Sequence, residues 1–112
     1  MPDALSLQQE LYELHAGLCS ALADPRRILL LYLLNERSHN VNDLASKLSL
    51  SQPATSRHLK ILREQGLVQA ARQGANVEYS LNDPRLIEAL DILRTVLRDS
   101  ITYRASLIAE VG

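Results

Sequence analysis

Three observations predict a mainly α fold carrying one β-hairpin, an α+β architecture of about five helices. Apolar residues recur at four- and three-residue spacing along most of the 112 residues. One run, Asn76-Val77-Glu78-Tyr79-Ser80-Leu81, alternates with period two instead. The apolar content is aliphatic and Leu-rich, with no Phe or Trp and four Tyr, which suits a helical core better than a β-sandwich. The length is that of one domain, 1–112.

Taken in order, residues 4–20 place Leu7, Leu11, Leu14 and Leu18 on one helical face. Asp24-Pro25 reads as an N-cap followed by the first helical position, where proline loses nothing because that N–H is unpaired anyway. The helix it opens, Arg26 to about Glu36, is apolar almost all round and is predicted to be the central core helix. Ser38-His39-Asn40 is a polar break. Val41, Leu44, Ala45 and Leu48 then give a short amphipathic helix, Ser49-Leu50-Ser51 a tight turn, and Ser51 the cap of a helix running to Gln65. Gly66 follows as a left-handed stop. Leu67–Arg72 and Asn76–Leu81 pair as a hairpin, about 67–81, turning through Gln73-Gly74-Ala75. Asp83-Pro84 starts a final helix, about 84–110, with Leu86, Leu90, Leu93, Leu97 and Ile101 at four/three spacing. That stripe is longer than a core of this size can cover, so it predicts a homodimer joined by Leu7, Leu11, Leu14 and the final-helix stripe.

Several function classes are excluded at this point. Hydrophobic residues at 46% and charged residues at 22% describe a globular chain, not a disordered one. No apolar run is long enough to span a membrane, and no basic-then-apolar leader opens the chain. The single cysteine, Cys19, cannot form an internal disulfide, so a cytoplasmic location is expected. There is no Gly-rich phosphate loop, no paired nucleophile and base, and no carboxylate dyad. Neither an enzyme nor a cofactor is expected.

The net charge of −1 argues mildly against nucleic acid, but the distribution of charge argues for it. From Arg57 to Arg72 the bases Arg57, Lys60, Arg63 and Arg72 are opposed only by Glu64. A two-turn helix, a short turn, a capped helix and an immediate hairpin form a winged helix-turn-helix, with the helix-turn-helix at about 41–65. On its second helix Gln52, Ser56, Lys60 and Arg63 lie within about 80° of one another, with Pro53 and Arg57 beside them and Thr55 at the edge. Ala54, His58, Leu59, Ile61 and Leu62 are assigned to the opposite, inward side. Gln52 and Ser56 are short enough to meet base edges in a major groove, and the long bases reach phosphates. Arg72, Gln73 and Asn76 tip the hairpin. The expected partner is double-stranded DNA. A dimeric interaction module without DNA is the alternative, and it would leave the polar helix and wing idle.

The stretch from Ser51 to Val68, Ser-Gln-Pro-Ala-Thr-Ser-Arg-His-Leu-Lys-Ile-Leu-Arg-Glu-Gln-Gly-Leu-Val, resembles the recognition helix of the ArsR/SmtB family of bacterial repressors. Ala23-Asp24-Pro25-Arg26-Arg27 is similar to the opening of that family's second helix. The resemblance covers nearly the whole chain. It implies a dimer with its first and last helices at the interface, operator binding without inducer, and release when a small inducer binds.

Many members of that family sense metals. The resemblance puts the cysteines of an arsenic- or cadmium-type site where this chain has Asn40 and Asn42, ahead of Asp43-Leu44, and neutral amides are poor ligands for soft metals. A zinc- or nickel-type site needs Asp and His on the last helix. This chain has no histidine after His58, although Asp91 and Asp99 remain. His15 and Cys19, at i and i+4, are the remaining pair, and in a dimer they offer a metal- or redox-responsive alternative. The expectation is that Cys19 is a small buried residue and no metal site exists. His39 is expected to be a solvated loop residue, and His58 to pack or bond inward.

Overall fold

Helix starts follow the side chains able to cap them. In the computed structural model, which describes residues 4–111, Asp24 Oδ1 accepts the Arg26 backbone N–H at 2.8 Å and opens α2 (Pro25–Glu36). Asn40 Oδ1 accepts the Asp43 N–H at 2.8 Å, opening α3 (Val41–Leu48). Ser51 Oγ accepts the Ala54 N–H at 3.2 Å, opening α4 (Gln52–Glu64). The first helix, α1 (Ala4–Leu14), runs on through a π-helical turn, His15–Cys19, which regular apolar spacing does not reveal.

Two helices end alike. Leu67 N–H reaches back to the Leu62 carbonyl at 2.9 Å with Gly66 at φ 73°. Leu50 N–H reaches the Ala45 carbonyl at 2.9 Å with Ser49 at φ 55°. Both close the last turn in the Schellman manner. Glycine holds the left-handed position at no steric cost, whereas Ser49 does so against one.

The hairpin forms as the alternation predicts, from β2 (Val68–Gln73) and β3 (Asn76–Leu81), pairing Val68 with Leu81 and Gln73 with Asn76. Gly74 opens the two-residue turn at φ 62°, as a type II′ turn requires. The break at 38–40 is not a free loop. His39–Asn40 forms β1, antiparallel to β3 with His39 opposite Tyr79 and Asn40 opposite Glu78, so the sheet order is β1-β3-β2. His39 is accordingly 2% exposed, not solvated. Its Nδ1 lies 3.0 Å from Asp43 Oδ2. A carboxylate only accepts, so Nδ1 carries the proton, and this bond holds Asp43 below the usual carboxylate range.

The core of this part of the chain joins Leu30 and Leu31 of α2, Leu44 of α3, Leu59 and Leu62 of α4, and Val68 of β2, each at most 1% exposed. Burying each such side chain contributes about 1.5–3 kcal/mol. The helix α2 is central but not buried all round: Leu29 is 52% exposed.

Contacts divide the chain into two compact units, Met1–Asn82 and Asp83–Gly112. The second unit is α5 (Arg85–Val111), opened by Asp83 Oδ1 accepting the Arg85 N–H at 3.0 Å. Along it Ile87 and Leu90 are buried, Leu86 is half-buried, and Leu93, Leu97 and Ile101 are more than half exposed. Leu90, expected at the dimer seam, is 6% exposed and so differs from the rest of that stripe. Among the described residues no helix is long and apolar enough to cross a membrane.

Candidate nucleic-acid interface

The helix α4 is held at both ends, by the Ser51 cap and by the Gly66 stop, which the Asn82 side chain secures by donating to the Gly66 carbonyl at 2.7 Å. A helix fixed in this way presents its faces reproducibly. Gln52, Pro53, Arg57, Lys60 and Arg63 are exposed on it, as the spacing predicts.

Two assignments to that helix change. Thr55 is fully buried and its Oγ1 donates to the Ser51 carbonyl at 2.9 Å, so it stabilises the first turn and does not stand on the outer face. Ser56 is only half-buried, at the margin of the outer face. Ile61, expected inward, is 37% exposed, while Leu59 and Leu62 are fully buried. The physical reason is the orientation of the helical wheel. At about 100° per residue Leu59 falls about 20° from Gln52, so the buried arc is centred near Thr55, Leu59 and Leu62. The outer ridge consequently runs through Pro53, Arg57, Lys60, Ile61 and Glu64. Centring the wheel on the leucines, instead of on the polar residues, would have found Ile61 and Glu64.

The electrostatics of the ridge are open to solvent. Lys60 Nζ lies 4.0 Å from Glu64 Oε1, a weak exposed pair that a phosphate can replace. Arg57, Arg63 and Arg72 enter no ion pair among the described residues. At the wing tip Arg72, Gln73 and Asn76 are all exposed on either side of the Gly74 turn. On the inward side His58 is 9% exposed with Nδ1 3.3 Å from Arg27 Nη1.

The sensor candidates do not gather. His15 and Cys19 are both exposed in the π-helical turn, so Cys19 is not the buried small residue expected. Among the described residues no three His, Cys, Asp or Glu side chains come together as metal ligands. On α1, Leu7, Leu11 and Leu14 are 46%, 48% and 43% exposed, an apolar face without cover within its own unit.

Residues 24–70, from the α2 cap through the recognition helix into β2, match the family model described as bacterial regulatory protein, arsR family. The nodulation protein NolR of Rhizobium meliloti is 38% identical over 87 residues, covering 78% of this chain and 71% of the relative. The protein named transcriptional repressor SmtB homolog of Synechocystis sp. is 44% identical over 82 residues, 73% of this chain and 61% of its own length. The crystal structure of Rv0081 from Mycobacterium tuberculosis superposes with a TM-score of 0.77 at 38% identity, covering 85% of this chain and 96% of that one. With its capped recognition helix, exposed basic ridge and hairpin wing, the chain belongs to the ArsR family of bacterial regulatory proteins and is a DNA-binding transcriptional regulator of the winged helix-turn-helix type.

Proposed function

We propose that the protein is a homodimeric repressor that reads a specific double-stranded operator with α4 and the wing tip and leaves it when a small inducer binds. One observation supports the reading above the others. Gln52, Pro53, Arg57, Lys60 and Arg63 line the exposed side of a doubly anchored helix, and Arg72, Gln73 and Asn76 stand exposed on a hairpin that follows it directly. Gln52 and the margin residue Ser56 sit at the N-terminal end, where side chains of a recognition helix meet base edges. Arg57, Lys60, Arg63 and Arg72 neutralise phosphates.

Dimerisation uses apolar residues that the chain leaves uncovered, Leu7, Leu11 and Leu14 on α1 and Leu93, Leu97 and Ile101 on α5. Repression follows the Synechocystis relative, which is named a repressor. The protein works beside the chromosome, in the cytoplasm, without enzymatic chemistry. Its inducer is not held by a thiolate-rich metal site, since the chain has one cysteine.

The test is fluorescence anisotropy with a duplex recovered from a random-sequence pool, titrated at two salt concentrations. Tight binding that weakens steeply with salt and discriminates against unrelated duplex is the expected result. A dimer that binds no duplex would overturn the reading and leave a protein-interaction module.

A further inference from the structure

We infer that Arg27 is a positioning residue for DNA recognition, tying the end of the first helix to the buried side of α4 through His58. The inference rests on the DNA-binding reading above and adds a proton dependence to it.

The Arg27 side chain, on α2, is only 12% exposed. Its Nε donates to the Ala21 carbonyl at 2.6 Å and its Nη2 to the Ser20 carbonyl at 3.2 Å. Its Nη1 lies 3.3 Å from His58 Nδ1. One rigid, planar fork therefore spans from the carbonyls just after the π-helical turn to the inward face of α4. A second contact runs in parallel. Gly17, inside that turn, lies so close to Gln65, the C-terminal cap of α4, that a Cβ there would sit 2.6 Å from Gln65 Oε1. The end of the first helix thus reaches α4 by two routes, through Arg27 of α2 and directly where Gly17 meets Gln65, neither of them on the exposed stripe.

A guanidinium only donates, so His58 Nδ1 must accept, and the link exists only while the imidazole is neutral with its proton on Nε2. The surroundings hold it there. Burial disfavours the imidazolium, Arg26, Arg27 and Arg57 act in the same direction, and Asp24 opposes them. Protonation would remove the acceptor and set a second cation against the fork.

The link seats the inward side of α4 against α2, and the seated helix is the form that meets DNA, so breaking the link by protonation opposes DNA binding. The DNA-bound form therefore binds the proton less tightly, and by reciprocity acid weakens DNA binding. The field of the phosphates alone predicts the opposite sign, tighter binding in acid as positive charge accumulates. The sign of the pH dependence separates the two.

The experiment measures affinity for the selected duplex at fixed salt from about pH 8 to about pH 5.5, for wild type, His58→Asn and Arg27→Met. Asparagine can offer an acceptor near the Nδ1 position and does not titrate. His58→Asn is expected to match wild type at the alkaline end, and wild type to fall about threefold relative to it at the acid end, which is what a difference of about one pKa unit between free and bound protein leaves when burial holds His58 below its ordinary range. Arg27→Met keeps the apolar stem without the donors. It should bind more weakly at the alkaline end and show the flat profile of His58→Asn. If that variant folds poorly, the comparison of wild type with His58→Asn decides alone. Parallel profiles for those two would overturn the positioning role while leaving DNA binding intact. Wild type that binds no duplex at about pH 8 would overturn both readings.

Discussion

Asp24 grips Arg26 by backbone and side chain together, accepting its backbone N–H and its Nε on Oδ1 at 2.8 and 3.1 Å and its Nη2 on Oδ2 at 2.7 Å. Asp83 and Arg85 repeat the arrangement at the start of α5, at 3.0 and 2.6 Å. Each carboxylate thus serves a helix start and a guanidinium together, and both are pulled below the usual carboxylate range, Asp83 to about 2. A carboxylate with a lowered folded-state pKa contributes stability that is present above its unfolded pKa and lost as pH falls through the folded one. The urea midpoint, followed by circular dichroism, should therefore fall between about pH 4 and about pH 2. Asp83→Asn, which can still cap but cannot pair with Arg85, should flatten part of that fall. An unchanged acid limb would show that the Asp83 pair contributes nothing.

Gln52→Ala should reduce discrimination between selected and random duplex by about 1–3 kcal/mol. Lys60→Ala, Arg63→Ala and Arg72→Ala should each weaken both kinds of binding alike and lower the salt slope by about 0.9. Thr55→Val behaves differently. It should lower stability by about 0.5–1.5 kcal/mol through the lost bond to the Ser51 carbonyl, with discrimination unchanged. Anisotropy and urea unfolding on the same variants check both halves, and a Thr55→Val that keeps its stability but loses selectivity would reverse the assignment.

Leu93→Asp and Leu97→Asp, in the exposed part of α5, should convert a dimer into a monomer of 12.5 kDa at micromolar concentration, because a charge cannot be buried unpaired in an interface. Leu90→Asp should instead destabilise the chain, since that side chain is buried. Sedimentation velocity separates these outcomes. Wild type that sediments as a stable monomer would remove the dimer.

Release of DNA should not depend on Cys19. Even a 100-fold loss of affinity needs about 2.7 kcal/mol of differential inducer binding, which two exposed ligands, His15 and Cys19, cannot supply from one chain. Cys19→Ser should leave duplex affinity unchanged, and arsenite, cadmium or zinc at low micromolar concentration should not release wild type. A metal response that Cys19→Ser abolishes would place the sensor on the first helix.

What the sequence disclosed, and what it hid, follows from how many residues carry each signal. Asp24-Pro25, Ser51 and Gly66 each sit at one position with one favoured backbone geometry, and the helix ends appear where they stand. The hairpin has a whole alternating run behind it. A two-residue strand such as β1 has no period to detect, so His39 read as a loop residue although pairing with Tyr79 buries it. The π-helical turn leaves the residue types unchanged and alters only the hydrogen-bond spacing. On α4 the difficulty was chemical: Thr55 is polar enough to read as outward, yet its hydroxyl finds a backbone acceptor within its own turn.

Asn40 belongs to two elements at once, capping α3 through its side chain and pairing with Glu78 of β3 through its backbone. For anyone re-targeting this protein, that double membership sets the size of the smallest transferable cassette. A borrowed α4 would arrive in a host whose hairpin is still pitched by the host's own β1, so the new helix and the old wing would not be matched to each other. The piece to exchange runs from His39 to Leu81, so that the reading helix travels with the strand that aims its neighbour.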